Sequence, residues 1–281
     1  MALSSVSTKE VVSFLVEASR VFELRARESV AFSGCSPLGS FLLLCSRQAR
    51  QARATNRRVK RDLKADMDFK SFSERISKIK NLPLPGESAH LEMAPEMRIA
   101  ELKAMAERPA DFRRAGVMAL FYPGTDGVAR LLFILRNSYP GVHSSQIAFP
   151  GGQFEKADQD LQQTALRETE EEVGVPANEI QLIRPMSQVY IPPSRFEVSP
   201  FIGLLPHSPD FRKQDSEVAA LIEVPLQDVM SDANLVTRQL TTSYAREITV
   251  PAFHLEGHII WGATAMMLNE VKSLLKQILL T

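Results

Sequence analysis

The sequence predicts an α/β (α+β) protein in which a mixed β-sheet is sandwiched between helices. Three observations predict this class: the chain has 281 residues, 44% of them are apolar and 23% are charged, and its apolar runs change period along the chain. Strand-like runs come first, one helix interrupts them, more strands follow, and a helix closes the sequence. Such an order is typical of a sheet covered by helices. No apolar run reaches the ~18 residues that a membrane helix needs.

The charge is unevenly distributed, although Lys plus Arg and Asp plus Glu balance at 33 each. Residues 1–66 carry twelve basic and six acidic side chains, so the remainder of the chain has a net charge of −6. We expect a basic, poorly ordered extension over 1–66, a helical lead-in over 67–108 and the functional domain over 109–281. The neutral total gives no basic footprint for nucleic acid, so we expect neither a nucleic-acid nor a membrane partner.

The extension over 1–66 has three interpretations. Its Arg- and Ser-rich composition suits a transit peptide, and its charge suits an arm that binds nucleic acid or a partner. The third interpretation is that Met67 is the true start, and we favour it because MDFKSFSERI resembles a natural N-terminus that opens an amphipathic helix. Cys35 and Cys45, the two cysteines of the chain, lie in this extension. The cysteine-free remainder favours a cytoplasmic protein.

Periodicity and turn residues predict the elements in order. Phe69, Phe72 and Ile76 have helical spacing, and a second helix is expected near 98–107. GTDG separates two apolar runs and predicts a hairpin. In chain order, strands are expected at 116–123, 129–136, 147–152, 180–190, 197–205, 217–224 and 248–255, and a closing helix at 262–279.

The strongest helix signal covers residues 160–173. Asp160 is a suitable N-cap, and Gln163 completes a capping box. Gly174 occupies the position at which helices end in the left-handed conformation, and Pro176 follows it. The residues expected to face the core are Leu161, Ala165, Leu166 and Val173.

Four glutamates crowd the C-terminal end of this helix, where the macrodipole disfavours negative charge. Glu168, Glu171 and Glu172 have the spacing i, i+3, i+4 and share one face, whereas Glu170 points elsewhere. Arg167 can offset part of the charge through Glu170 and Glu171. Three carboxylates on one ridge suit Mg²⁺ or Mn²⁺. The alternative is a solvated acidic helix end.

Two glycines, Gly151 and Gly152, follow the apolar run 147–149 directly. Glycine allows the backbone to approach a ligand closely, so the Gly152 carbonyl could join the helix carboxylates at a metal. An ordinary turn between strand and loop is the alternative.

The segment 151–175 resembles the Nudix box, which reads Gly, five residues, Glu, seven residues, Arg-Glu, apolar, any, Glu-Glu, any, Gly, apolar. Asp158 replaces the first Glu, Thr169 replaces the apolar residue, and one extra residue precedes Arg167. The positions that fit are Gly152, Arg167, Glu168, Glu171, Glu172, Gly174 and Val175. The resemblance implies the Nudix fold.

The segment 132–152 is similar to the upstream signature of one Nudix branch, the coenzyme A diphosphatases. It keeps Leu132, Arg136 and the FPGG at 149–152. It departs from the signature at Asn137, at Ser145, and at Gly141, where the branch has a basic residue. The segments 189–203, 216–226 and 260–271 also resemble this branch.

The resemblance implies a metal-dependent hydrolase that cleaves the diphosphate of coenzyme A or its thioesters. The implied metal, Mg²⁺ or Mn²⁺, would be held by Glu168, Glu171, Glu172 and Gly152. Glu171 or Glu172 would act as the base, and Arg167 would orient the glutamates. Arg136, His143 and Gln146 are the candidates for contacting substrate phosphates.

Two other functions remain open. The first is a Nudix enzyme that acts on another nucleoside diphosphate derivative such as ADP-ribose, which the glycine at 141 favours. The second is a non-catalytic nucleotide-binding Nudix module, against which the intact glutamates speak. The sequence does not fix the oligomeric state, and a homodimer is one of the assemblies it allows.

Overall fold

The computed structural model describes residues 67–96, 99, 112–138, 146–240 and 247–279. The extension over 1–66, most of the helix expected near 98–107, and His143 lie outside the described residues. The helices are α1 (Phe69–Ile76), α2 (Glu87–Leu91), α3 (Leu161–Val173), α4 (Leu226–Met230) and α5 (Gly262–Leu279). The strands are β1 (Arg113–Pro123), β2 (Ala129–Arg136), β3 (Ile147–Ala148), β4 (Gly151–Gln153), β5 (Gln181–Pro185), β6 (Val189–Ile191), β7 (Phe196–Leu204), β8 (Val218–Pro225), β9 (Leu235–Leu240), β10 (Ile248–Leu255) and β11 (His258–Trp261).

A mixed sheet forms the centre of the described structure. Its strands run in the order β3–β2–β1–β7–β5, while β4 also pairs with β1, β6 with β7 and β8 with β2. β1 and β7 are parallel, and the other pairs are antiparallel. This arrangement confirms the predicted class and the predicted hairpin of β1 and β2.

The sheet is covered by a helix on each face. Alternate residues of β1 point to opposite faces: Met118 and Leu120 pack in one cluster with Ala165 and Val173 of α3. The other face packs against α5, and that cluster includes Ala119, Phe121, Leu268, Val271 and Leu274. In the described part of the chain, no helix is both long and apolar enough to cross a bilayer.

Several strands differ from the sequence prediction. The strand expected at 147–152 is two short strands, because Pro150 has no backbone N–H for the ladder. The strand expected at 180–190 ends at Pro185 and resumes at Val189. β9, β10 and β11 form a separate antiparallel sheet, of which the sequence predicted only β10. β9 is mostly exposed, so its sequence carries no apolar alternation by which to recognise it.

Candidate active site

Helix α3 has defined limits at both ends. The Asp160 side chain accepts a hydrogen bond from the Gln163 backbone N–H at 2.8 Å, and the Gln163 side chain accepts one from the Gln159 N–H. At the other end Gly174 has φ 75° and its N–H donates to the Glu170 carbonyl. The predicted N-cap Asp160 and the predicted end at Gly174 are confirmed, while the Gln163 side chain bonds the N–H of Gln159 and not that of Asp160 as a capping box would. The glutamates therefore occupy the last two turns of a helix that is fixed against the sheet.

Arg167 gathers the acidic side chains at this end of the helix. Its Nε lies 2.9 Å from Asp158 Oδ1, and its Nη1 lies 2.9 Å from Glu168 Oε1 and 3.1 Å from Glu171 Oε2. Its Nη2 donates to Asp158 Oδ2 and to the Gln153 carbonyl. The expected partner Glu171 is confirmed.

The expected contact between Arg167 and Glu170 was wrong. The Glu170 carboxylate instead accepts a hydrogen bond from the Ala177 backbone N–H at 3.0 Å. Its helical position directs it to the segment that follows α3, away from the other glutamates, as the spacing predicted.

Asp158 is the anchor of this arginine. It is buried, and it also accepts hydrogen bonds from the Glu155 N–H and the Thr164 hydroxyl. The hydrogen bond from Arg167 lowers the pKa of Asp158 to about 2. Asp158 therefore stays charged at neutral pH and holds the guanidinium beside Glu168 and Glu171. The sequence showed Asp158 only as a departure from the box.

Two glycines allow β4 to lie against this cluster. Gly151 has φ 148°, and a Cβ on it would stand 2.4 Å from the Gly116 carbonyl oxygen. A Cβ on Gly152 would stand 2.3–2.5 Å from the carboxylate atoms of Glu168. The predicted close approach is therefore made to a carboxylate of the same chain.

Glu172 is the most buried carboxylate of the cluster, with 1% of its surface exposed. Its Oε2 accepts a hydrogen bond from the Gly151 N–H at 2.8 Å, and its Oε1 lies 3.6 Å from Arg136 Nη1. Burial raises the pKa of Glu172 to about 7, against the opposing effects of these two groups. Burial also raises the pKa of Glu168. Burial therefore disfavours the charged form of both carboxylates, and the effect is larger at Glu172.

The donor set fits a hard divalent cation. Carboxylates and a backbone carbonyl are the oxygen ligands that Mg²⁺ and Mn²⁺ prefer, and the missing Cβ of Gly152 leaves room for Glu168 at the β4 backbone. In the described residues, no group of three His, Cys, Asp or Glu side chains is already arranged around a metal position. Arg167 contacts Glu168 and Glu171 instead. The predicted ligand set of Glu168, Glu171, Glu172 and Gly152 stays a prediction.

A cavity of about 370 Å³ opens beside the two glycines. Arg136 and Gln146, two predicted substrate contacts, line it together with Gly151 and Gly152. The Arg136 Nε is buried and has no hydrogen-bond partner among the described residues. The structure thus brings Arg136, Gln146 and the glycines to one cavity, while His143 lies outside the described residues.

The walls of the cavity include two methionines that the sequence prediction missed. Met266 and Met267 of α5 are buried and form its inner wall with Val117 and Val198. The outer wall is half-buried and consists of Tyr190, Ile191, Pro192, Pro193 and Phe196. Apolar helix residues indicate burial but not a cavity beside them, so no sequence signal distinguished the two methionines from ordinary core.

Comparison with known proteins agrees with this geometry. The NUDIX domain family matches residues 112–243. Uncharacterised Nudix hydrolases named NudL, from Yersinia pestis (strain Pestoides F) and Yersinia pseudotuberculosis (serotype O:1b), are 35% identical over 144 residues, which is 50% of this chain and 70% of each relative.

Two solved structures show weaker similarity. The Nudix hydrolase RenU from M. smegmatis is 16% identical, with 58% of this chain and 86% of that chain covered and a TM-score of 0.42. The NUDIX domain of Shewanella oneidensis NrtR, solved with ADP-ribose, is 21% identical, with 47% and 86% covered and a TM-score of 0.35. The family match and the NudL relatives show that this chain belongs to the Nudix hydrolases, enzymes that hydrolyse the pyrophosphate bond of nucleoside diphosphate derivatives and generally use a divalent metal ion.

Proposed function

We propose that this enzyme hydrolyses the diphosphate of coenzyme A or its thioesters to 4′-phosphopantetheine and adenosine 3′,5′-bisphosphate. The observation that carries the proposal is the mixed lining of the cavity. Arg136 and Gly152 line it together with buried apolar residues such as Met267. A substrate that fits has a diphosphate joined to a long arm of low polarity, and the pantetheine arm of coenzyme A meets this description. The terminal ribose of ADP-ribose would leave its hydroxyls unpaired against apolar walls.

The metal would be Mg²⁺ or Mn²⁺, held by Glu168, Glu171, Glu172 and the Gly152 carbonyl. When bound, it would neutralise the diphosphate and lower the pKa of a water molecule.

The protein's own residues perform the remaining tasks. Arg167, fixed by Asp158, holds the carboxylates of Glu168 and Glu171 in position. Arg136 lies at the cavity rim with its Nε unpaired in the described structure, so it can donate hydrogen bonds to phosphate oxygens. The apolar walls exclude water from the arm of the substrate. Glu171, which is half exposed, and Glu172, which is buried, are the two candidates for accepting the proton of the attacking water.

A substrate panel with Mg²⁺ tests the proposal. Coenzyme A, octanoyl-coenzyme A, ADP-ribose and a nucleoside triphosphate are each incubated with the purified protein, and the products are identified by mass. We expect 4′-phosphopantetheine, or its acyl form, from the first two. Hydrolysis of ADP-ribose or of the triphosphate with coenzyme A untouched would overturn the proposal.

ADP-ribose is the second candidate substrate. The observation that favours it is Gly141, which stands where the coenzyme A signature has a basic residue. The panel separates the two candidates, and Glu172→Gln serves in both cases as the control for background hydrolysis. A complete absence of turnover on all substrates would favour the non-catalytic module instead.

A further inference from the structure

Arg113, the first residue of β1, is held at the edge of the cavity. Its guanidinium carbon lies 4.1 Å from the centroid of the Phe196 ring, and its Nη2 donates to the Ser194 carbonyl at 2.8 Å. Phe196 is part of the outer wall of the cavity. The ring and the carbonyl fix the guanidinium in place, while Arg113 as a residue remains exposed. An arginine held in this way has further N–H donors that face solvent.

Arg113 differs from the two arginines nearer the glutamates. Arg136 faces Glu172, and Arg167 is paired with Asp158, Glu168 and Glu171. The partners of Arg113 in the described part of the chain are a neutral carbonyl and a ring. Its charge is therefore available to an external anion.

The strand register relates Arg113 to the reaction site. Gly116 pairs with Gly152, and Arg113 precedes Gly116 by three residues, so their Cα atoms are about 10 Å apart along the strand. Alternate residues of a strand share one sheet face. Arg113 therefore lies on the same face as Ala115 and Val117, which line the cavity. Arg114 points to the other face and lies over the Phe154 ring at 4.4 Å.

The two walls of the cavity suit the two halves of coenzyme A. The buried inner wall with Met266 and Met267 suits the pantetheine arm, and the half-exposed outer wall with Tyr190 and Phe196 offers rings on which a nucleoside can stack. An adenosine stacked on this wall, with its diphosphate at Gly152, would bring its ribose toward Arg113, which lies over the Phe196 ring. The second phosphate of coenzyme A is attached to that ribose, at the 3′ position.

We propose that Arg113 binds the 3′-phosphate of coenzyme A and so determines specificity for coenzyme A over its 3′-dephosphorylated form. This inference rests on the proposed function. Arg113 would also supply a cation on the adenosine side of the substrate. The upstream segment lacks one basic residue of the coenzyme A signature, because Gly141 stands in its place.

Kinetics of Arg113→Gln with coenzyme A and 3′-dephospho-coenzyme A test the inference, and Arg114→Gln is the matched control. We expect Arg113→Gln to lower kcat/KM for coenzyme A about tenfold, mainly through KM, because one exposed charge-assisted contact is lost. For dephospho-coenzyme A its kcat/KM should stay within about twofold of wild type. Arg114→Gln should leave the ratio of the two substrates unchanged, and Arg113→Lys should restore part of it. An equal loss on both substrates, or no loss on either, would overturn the inference.

A binding measurement tests the phosphate site independently of whether the enzyme cleaves coenzyme A. The Glu172→Gln variant, with and without Arg113→Gln, is titrated calorimetrically with adenosine 3′,5′-bisphosphate and with adenosine 5′-monophosphate. Tighter binding of the bisphosphate that disappears with Arg113→Gln supports the phosphate site, whatever substrate the enzyme cleaves. Equal affinity for the two nucleotides overturns it. Failure to cleave coenzyme A in the substrate panel refutes the proposed function and the specificity role that rests on it, whereas the binding comparison alone decides whether Arg113 forms a phosphate site.

Discussion

The two most buried glutamates among the described residues, Glu172 and Glu270, have different surroundings. Glu172 lies at the end of α3 with 1% of its surface exposed, and Glu270 lies in the middle of α5 with none exposed. Glu270 accepts hydrogen bonds from the Gly86 N–H at 3.1 Å and from the Ser187 hydroxyl. It also lies 3.0 Å from the Nε2 of His90. Glu172 accepts one backbone N–H, and its arginine is 3.6 Å away.

The pKa values of the two carboxyl groups depart from the ordinary glutamate value in opposite directions. Burial raises the pKa of Glu172 to about 7 and outweighs its hydrogen bond. Burial acts on Glu270 in the same sense, but the hydrogen bonds from His90, Ser187 and Gly86 outweigh it and lower the pKa. A buried carboxylate that the protein satisfies itself stabilises the fold. One that the protein leaves short of partners is suited to a cation or a proton from outside.

The largest expected effect is the loss of turnover in Glu172→Gln. The amide keeps an acceptor for the Gly151 N–H, but it cannot carry the charge, so kcat should fall about 10³-fold. Because the substitution removes a buried charge, the free energy of unfolding in urea should be unchanged or higher. Initial rates with Mg²⁺ and urea titrations measure the two quantities. Wild-type turnover in a folded variant would refute the role given to Glu172.

The opposite result is expected at Glu270. Glu270→Ala leaves the His90 ring, the Ser187 hydroxyl and the Gly86 N–H without their acceptor inside the protein, so the free energy of unfolding should fall by about 3 kcal/mol. The kcat well below the melting temperature should stay near wild type. Glu270→Gln keeps one acceptor oxygen and should lose less. A variant with a normal urea midpoint and no turnover would contradict the distinction drawn between the two glutamates.

Local sequence signals were sufficient for the elements that carry the glutamates. The capping residues of helix α3, Asp160 and Gly174, lie directly at its two ends, so short sequence patterns were enough to predict its limits. Helix α5 covers the predicted range 262–279, because its apolar stripe runs unbroken from one end to the other. Helical spacing likewise predicts the contact of Arg167 with Glu171, but not its contact with the adjacent Glu168.

Long-range placement was not predictable in the same way. The burial of Asp158 against Arg167 depends on how the loop before α3 folds back, and the second sheet depends on the exposed strand β9. Arg113 reaches the cavity edge because β1 pairs in parallel with β7, which brings Phe196 beside it. Strands that pair in parallel are far apart in the sequence, so no short sequence pattern predicts their pairing.

A smaller effect is expected when the position of Arg167 is loosened. Asp158→Asn removes the charge opposite the guanidinium, and kcat should fall about tenfold with KM little changed, because the residue acts through Arg167 on Glu168 and Glu171. The control is Asp160→Asn, since asparagine is an equally good N-cap. Steady-state kinetics of both variants give the answer. Equal kcat values for the two variants would show that the Asp158 contact is only structural.

The smallest expected effect is on the acid dependence of the unfolding free energy. It tests whether the pKa of Glu270 is lowered on folding, in contrast to that of Glu172. Since the pKa of Glu270 is lower in the folded than in the unfolded protein, the unfolded state takes up its proton first as the pH falls. The stabilisation is fully present above the unfolded value of about 4.3 and is lost as the pH falls through the folded value. Glu270→Gln should therefore lose less unfolding free energy than wild type between about pH 5 and pH 3. Urea titrations at each pH measure this, with Glu74→Gln on the exposed side of α1 as a control that keeps the wild-type slope. Parallel curves for wild type and Glu270→Gln would mean that the hydrogen bonds of Glu270 do not outweigh its burial.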